Sequence, residues 1–197
     1  MTNFNDKQIE ILLVAEKLFS EHGFDGTSIR DIAKEANINI AMISYYFGSK
    51  EKLLEALIIN RISGLQLQIE NLHKENVSPF EKIDKLIELY ITRINKNYGM
   101  YQIIHFEITS KKRDINYDAF NEVKKYNLQI LKNIIEEGQS KGLFRKNINI
   151  ALIPPTIMGT YFHFQMTKPF YADLFNLKTL EDFDNYIHND LTKHIQQ

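Results

Sequence analysis

Three sets of residues have types and spacings that could do chemistry. Gly138-Gln139-Ser140-Lys141-Gly142 fits the Gly-x-Ser-x-Gly pattern of a nucleophile elbow, which needs a strand before the serine and a helix after it. An amphipathic helical pattern precedes this serine and a short apolar turn follows, so the run reads better as a helix C-cap. His105 and Glu107 suggest a metal, but two residues apart on a helix their side chains do not face each other. The third set lies in residues 26–57, GTSIRDIAKEANINIAMISYYFGSKEKLLEAL. Its hydroxyls, amides, tyrosines and basic side chains are suited to meeting phosphates and base edges rather than to breaking bonds.

Short helices must hold that third set. Thr27 and Ser28 place hydroxyls where a helix has unpaired N–H groups, and Ile29, Ile32, Ala33 and Ala36 follow at helical spacing. Asn37 and Asn39 predict a sharp turn, because Asn tolerates a left-handed backbone; Asn39 then caps a helix over residues 40–46. Ile43 and Phe47 share one face of it with Ile38 at its entrance, and these three are read as core, while Ala41, Met42, Ser44 and Tyr45 point elsewhere. Ser49 caps a longer helix whose Leu53, Leu54, Leu57, Ile58, Ile62 and Leu65 carry the apolar stripe onward. Two short helices, a tight turn and an anchoring helix make the helix-turn-helix layout of a DNA reader.

The remaining pattern is helical throughout. Residues 6–22 form a first helix with Ile9, Leu12, Ala15 and Phe19 inward, Gly23 as its stop and Phe24 folded back on Phe19. The fourth helix frays over residues 72–77, and Ser78-Pro79-Phe80-Glu81 is a capping box with Pro at the first helical position. Phe80, Ile83, Ile87, Tyr90 and Ile94 are the expected buried stripe of a fifth helix, which Tyr98-Gly99 ends. A sixth follows over residues 100–110, then the basic loop Lys111-Lys112-Arg113, then a seventh over 117–138 with Phe120, Val123, Ile130 and Ile134 inward. Two last helices cover residues 151–167 and 179–194. No segment alternates as a strand, so the expected fold is all-α with about nine helices.

Composition bounds the function. The 197 residues are 44% hydrophobic and 25% charged, an ordinary globular composition with enough chain for a core. There is no cysteine, which removes disulfides and thiolate metal sites and fits a reducing compartment. Residues 1–8 show no secretory leader, and no apolar run approaches the roughly 18 residues of a membrane span, so a cytoplasmic, membrane-free protein is expected. Charge works against nucleic-acid binding: residues 1–55 carry six basic and nine acidic side chains, a net of −3. Between residues 27 and 52 the balance is four to three, or +1, and helix N-termini add further anion-binding groups.

Gly26-Thr27, Ile32-Ala33, Ala36, Ile38, Tyr45-Tyr46-Phe47, Lys50-Glu51 and Leu53 resemble, without a gap, the N-terminal signature of the TetR family of bacterial transcriptional repressors. Residues 136–145, EEGQSKGLFR, are similar to the end of the seventh helix and the turn after it in many members. The resemblance implies a helix-turn-helix DNA-binding domain at residues 1–48 and a helical ligand-binding and dimerisation domain at 49–197. It puts Arg30 where a base edge is in reach, with a solvated surface charge as the alternative. Asn39, Ile40, Ala41, Met42 and Ser44 take the groove-facing positions, where readout would rest on Asn hydrogen bonds and apolar contact with thymine methyls. Tyr45, Tyr46 and Lys50 match phosphate-clamping positions, with plain aromatic packing as the alternative for Tyr46, and Thr27 and Ser28 complete the set. Ala41 and Ser44 depart from the family's usual residues, so an operator cannot be borrowed from a relative.

For the C-terminal part, Tyr90, His105, Phe106, Phe120, Tyr126 and Tyr161 supply aromatic surface with polar tips, the mixture that lines organic-ligand pockets and also fills cores. The apolar run TIMGTYFHFQM fits burial within one subunit as well as an interface; the resemblance favours a homodimer through the last two long helices. The function implied is a ligand-responsive repressor that releases a palindromic double-stranded operator on binding a small organic inducer. A TetR-like interaction protein that acts through another regulator is the alternative. No enzyme activity, cofactor or metal site is expected.

Overall fold

The computed structural model describes residues 4–196, and the regular structure among them is helical throughout. Residues 1–3 and 197, and so the start of the stretch read for a leader, lie outside the described residues. Ten α-helices follow in order: α1 (Asp6–His22), α2 (Ile29–Glu35), α3 (Ile40–Phe47), α4 (Lys50–Lys74), α5 (Pro79–Lys96), α6 (Tyr98–Ser110), α7 (Asp118–Ser140), α8 (Ile153–Met166), α9 (Lys168–Phe175) and α10 (Leu180–Gln196). One 3-10 turn, Ile150–Leu152, leads into α8. The helices gather into two compact units. One holds the residues up to Leu67 with Lys96–Lys124; the other holds Gln68–Asn95 with the residues from Lys125 onward.

In the first unit α1 opens on a reciprocal cap, Gln8 N–H donating to the Asn5 side chain while the Gln8 side chain accepts from Asn5 N–H. Its inward face, Ile11, Leu12, Ala15 and Phe19, packs into one core with Ile32 and Ala33 of α2, Ile43 of α3 and Leu53, Leu54 and Leu57 of α4. Phe24 folds back on Phe19 with ring centres 5.2 Å apart, as the spacing suggests. Tyr98-Gly99 does not end α5; it opens α6. A Cβ on Gly99 would stand 3.0 Å from the Ser20 Cβ and 3.1 Å from the Ser20 carbonyl oxygen. The glycine therefore serves the close approach of α6 to α1, which sequence reading mistakes for a stop.

In the second unit the capping box at Ser78 forms as expected: Glu81 N–H donates to Ser78 Oγ at 3.2 Å, and the Glu81 carboxylate accepts from Ser78 N–H at 2.9 Å. The buried stripe of α5 holds Ile83, Ile87 and Ile94 as expected, joined by Leu86 and Ile91 in place of Phe80 and Tyr90. Tyr90 is half-buried at its edge, and Phe80, 42% exposed, lies over Phe144 instead. On the part of α7 in this unit the buried face is Ile130, Leu131, Ile134 and Ile135; Phe120 and Val123, on its first turns in the other unit, are half-buried. The chain's end holds three helices where two are expected. Pro169 cannot continue α8, so α9 starts afresh at Lys168 and stops at Asn176, whose φ of 53° is left-handed.

Gly138 is buried within α7, and a Cβ there would meet the Phe144 ring at 2.1 Å. Gly138→Ala is expected to displace that ring and cost about 1–3 kcal/mol despite the better helix propensity of Ala, read as a lower midpoint in urea denaturation.

Candidate nucleic-acid interface

The α2–α3 segment is shaped by local hydrogen bonds. Ser28 Oγ accepts from Asp31 N–H at 3.1 Å, and the Asp31 carboxylate accepts from Ser28 N–H at 2.9 Å and from the Ser28 hydroxyl at 2.6 Å. These bonds from Ser28 hold the Asp31 carboxyl below the usual carboxylate range. Between the helices Asn37 adopts φ 49°, and Ile38 N–H donates to Ala33 O at 3.0 Å, closing the turn that the two asparagines predict. Asn39 Oδ1 accepts from Ala41 N–H at 2.8 Å and caps α3.

Ile43 fixes the orientation of α3. It is 1% exposed in the core beside Ile32 and Leu53, with Ile38 and Phe47 half-buried against it. The opposite face is open: Asn39, Ile40, Ala41 and Ser44 are exposed, Met42 is half-buried, and Tyr45 is 83% exposed. Tyr46 is half-buried between Tyr45 and Phe47, with ring centres 5.2 and 6.4 Å away, so it both packs and borders the open face. Arg30 and Ser28 are exposed at the start of α2.

Two expected members point inward. Thr27 is buried, its hydroxyl within reach of the carbonyls of Gly23 at 2.9 Å and Leu18 at 3.1 Å. Lys50 Nζ donates to Phe24 O and Thr27 O, both at 2.8 Å, and lies 4.2 Å from the centre of the Phe24 ring. Both residues fasten the α1–α2 turn that presents α2. No local spacing announces this role for Lys50, because its partners lie 23 and 26 residues away.

The aromatic ligand candidates do not share one cavity. Phe120 lines a groove of about 600 Å³ in the first unit, together with Arg113, Tyr117 and Lys124. His105 and Phe106 are exposed on α6. In the second unit Tyr90 is half-buried and Tyr126 exposed. Tyr161 is wholly buried, and its hydroxyl lies in a network with Asn95, Asp184 and Gln165. Burial, then the Asp184 charge, pushes its phenol above the ordinary value. A second cavity of about 340 Å³ is lined by Phe164, Tyr171, Phe175 and Tyr186, aromatics the sequence did not single out.

The residues that hinted at catalysis stand apart. Ser140 lies in the last turn of α7, its hydroxyl donating to Glu137 O at 2.7 Å, with a helix rather than a strand before it. Glu107 is 2% exposed and ion-paired with Arg113, whereas His105 faces outward. Among the described residues no group of three His, Asp or Glu side chains is placed to hold a metal.

Comparison with known proteins accords with this geometry. The sequence profile of bacterial regulatory proteins of the TetR family matches residues 11–57, and that of the C-terminal region of YsiA-like proteins matches residues 59–182. The chain is 32% identical to the probable HTH-type transcriptional regulator YttP of Bacillus subtilis, over 67% of this chain and 64% of that protein. It is 31% identical to the HTH-type transcriptional repressor NicS of Pseudomonas putida, over 72% of this chain and 67% of that protein. The match thus spans about two thirds of the length of these relatives. Among solved structures, the transcriptional regulator FadR of Bacillus subtilis, in complex with stearoyl-CoA, shares the fold with a TM-score of 0.67 at 22% identity, covering 93% of this chain and 97% of that one. An open α3 face on a helix-turn-helix, matched along both parts of the chain, identifies this protein as a member of the TetR family of bacterial transcriptional regulators.

Proposed function

We propose that this protein is a homodimeric repressor that binds a palindromic operator through α2 and α3 and releases it when a small organic molecule binds. The carrying observation is the face of α3: Asn39, Ile40, Ala41, Ser44 and Tyr45 are open to solvent while Ile43 anchors the helix from behind. We read residues 1–48 as the DNA-binding domain and 49–197 as the regulatory and dimerisation domain. Arg30 suits the O6/N7 pair of guanine, and Met42 and Ile40 suit thymine methyls. Ser28, Tyr45 and Tyr46 suit phosphate oxygens. Thr27 and Lys50 serve the interface by fixing the turn beneath it.

Dimerisation is supported by apolar side chains left uncovered near the chain's end. Met166 is 73% and Phe170 63% exposed, with Leu174, Phe175 and Leu180 exposed as well, a concentration that a second copy would cover. A two-fold axis would set the two α3 helices about 34–36 Å apart, one turn of DNA. The stearoyl-CoA bound to FadR shows that this fold accepts an organic ligand in a relative; here the inducer acts by preferring the DNA-incompetent state. The protein works by binding, not as an enzyme, and in the cytoplasm; no helix of the described residues is long and apolar enough to cross a membrane.

The net charge of −3 over residues 1–55 favours a second reading, an interaction protein that acts through another regulator. Selection of bound fragments from random DNA separates the two. The repressor reading expects enrichment of a palindrome with half-sites one turn apart and salt-dependent affinity; no enriched sequence at low salt would favour the second. On the selected site, Arg30→Ala is expected to cost about 1–3 kcal/mol and to relax discrimination at one base pair. Lys50→Ala should act differently, lowering the melting temperature while leaving base preference intact. Phe170→Glu with Leu174→Glu is expected to turn a dimer into a monomer by light scattering.

A further inference from the structure

The turn between α1 and α2 is fastened by the loop that follows α6. Asp25, in that turn, receives Lys112 Nζ at 3.0 Å on one carboxylate oxygen and the Arg113 guanidinium on the other. Arg113 is itself nearly buried, bonded through its other terminal nitrogen to Glu107, and its Cζ lies 4.2 Å from the centre of the Phe24 ring. Lys50 holds the same ring and the two carbonyls of this turn, so the segment leading into α2 is gripped by α4 and by the α6–α7 loop together. Hydrogen bonds from Arg113, then Lys112, hold the Asp25 carboxyl down to about 2, so Asp25 is an anion at any ordinary pH. Its side chain is nonetheless 65% exposed.

The same two cations line the groove of about 600 Å³, which is the feature that makes the pair more than a brace. Lys111 and Lys124 stand on its rim and pair with no carboxylate among the described residues; Lys124 lies over the Phe120 ring instead. Asp114 is the sole acid in the lining, and Ile108, Ile115 and Phe120 make its apolar part. We propose that Lys112 and Arg113 form an exchangeable anion site in which Asp25 is the resident anion, and that a carboxylate or phosphate ester with an apolar body, seated in the groove, takes its place. Exchange leaves Arg113 paired with Glu107, so no buried charge is stranded. The apolar body and the rim lysines supply the binding that a bare anion lacks in competition with a tethered carboxylate. Release of Asp25 loosens the turn ahead of α2. Only that last consequence, at DNA, rests on the repressor reading; the site itself does not.

Calorimetric titration of the full chain with octyl phosphate tests the exchange, with octanol, octyltrimethylammonium and inorganic phosphate as comparisons. The expected result is saturable binding of octyl phosphate, tenfold or more tighter than any comparison. It should weaken at least tenfold in Lys111→Glu/Lys124→Glu and tighten several-fold in Asp25→Asn, with melting temperatures confirming that both variants fold. Hydrogen exchange of the α2 amides should quicken on adding octyl phosphate and be already quick in Asp25→Asn. Equal binding of octanol, or affinity indifferent to the rim lysines, overturns the site. Binding that Asp25→Asn does not improve overturns the exchange. Because none of these measurements uses an operator, they fail or succeed separately from the repressor reading.

Discussion

Helices of seven and eight residues do not persist in water by themselves, because nucleation costs more than so few hydrogen bonds return. The rest of this structure depends on that constraint. α2 and α3 exist because Ile32, Ala33 and Ile43 are drawn into a core built on α1 and α4, and because each end is closed by a side chain: Ser28 and Asp31 at the start of α2, Asn39 at the start of α3. Burial on one face is what leaves the other face rigid and open. A face that reads DNA must be presented without rearrangement, and here the presenting force is ordinary apolar burial one helix radius away.

Charge is used in a way that a count of residues hides. Two of the cations nearest the reader, Lys50 and Arg113, are turned inward onto carbonyls, carboxylates and the Phe24 ring. Lys17 is likewise paired with Glu35 at 2.7 Å. Lys17, Lys50 and Arg113 are thus spent within the fold, which leaves Arg30 and Lys34 as the exposed cations of α2. Apolar side chains, by contrast, are left uncovered on α8 and α9, with Met166 73% and Phe170 63% exposed.

How far the sequence could be read depended on the range of the interactions involved. Capping boxes, the Asn37 turn and the α3 stripe are set by residues within a few positions of one another, so their types and spacings state the answer in advance. Gly99 was ambiguous for the same reason in reverse: a glycine can stop a helix or admit a neighbour, and only the presence of Ser20 beside it decides. Which residues widen the α5 stripe, with Ile91 inside and Tyr90 at the edge, was set by which neighbours arrive. Arg113 meets Asp25 across 88 residues, and Tyr161 meets Asn95 across 66; no local pattern encodes either. The basic loop was visible as three charges, and its engagement was not.

The exposed ring of Tyr45 has a practical corollary. With ten tyrosines and no tryptophan in the chain, ultraviolet emission comes from phenol rings alone. Tyr45 stands in water at the outer edge of α3, while Tyr161 is sealed in a hydrogen-bonded interior. Emission that Tyr45→Phe removes is therefore the share of the ten-phenol signal that reports on the open face of α3.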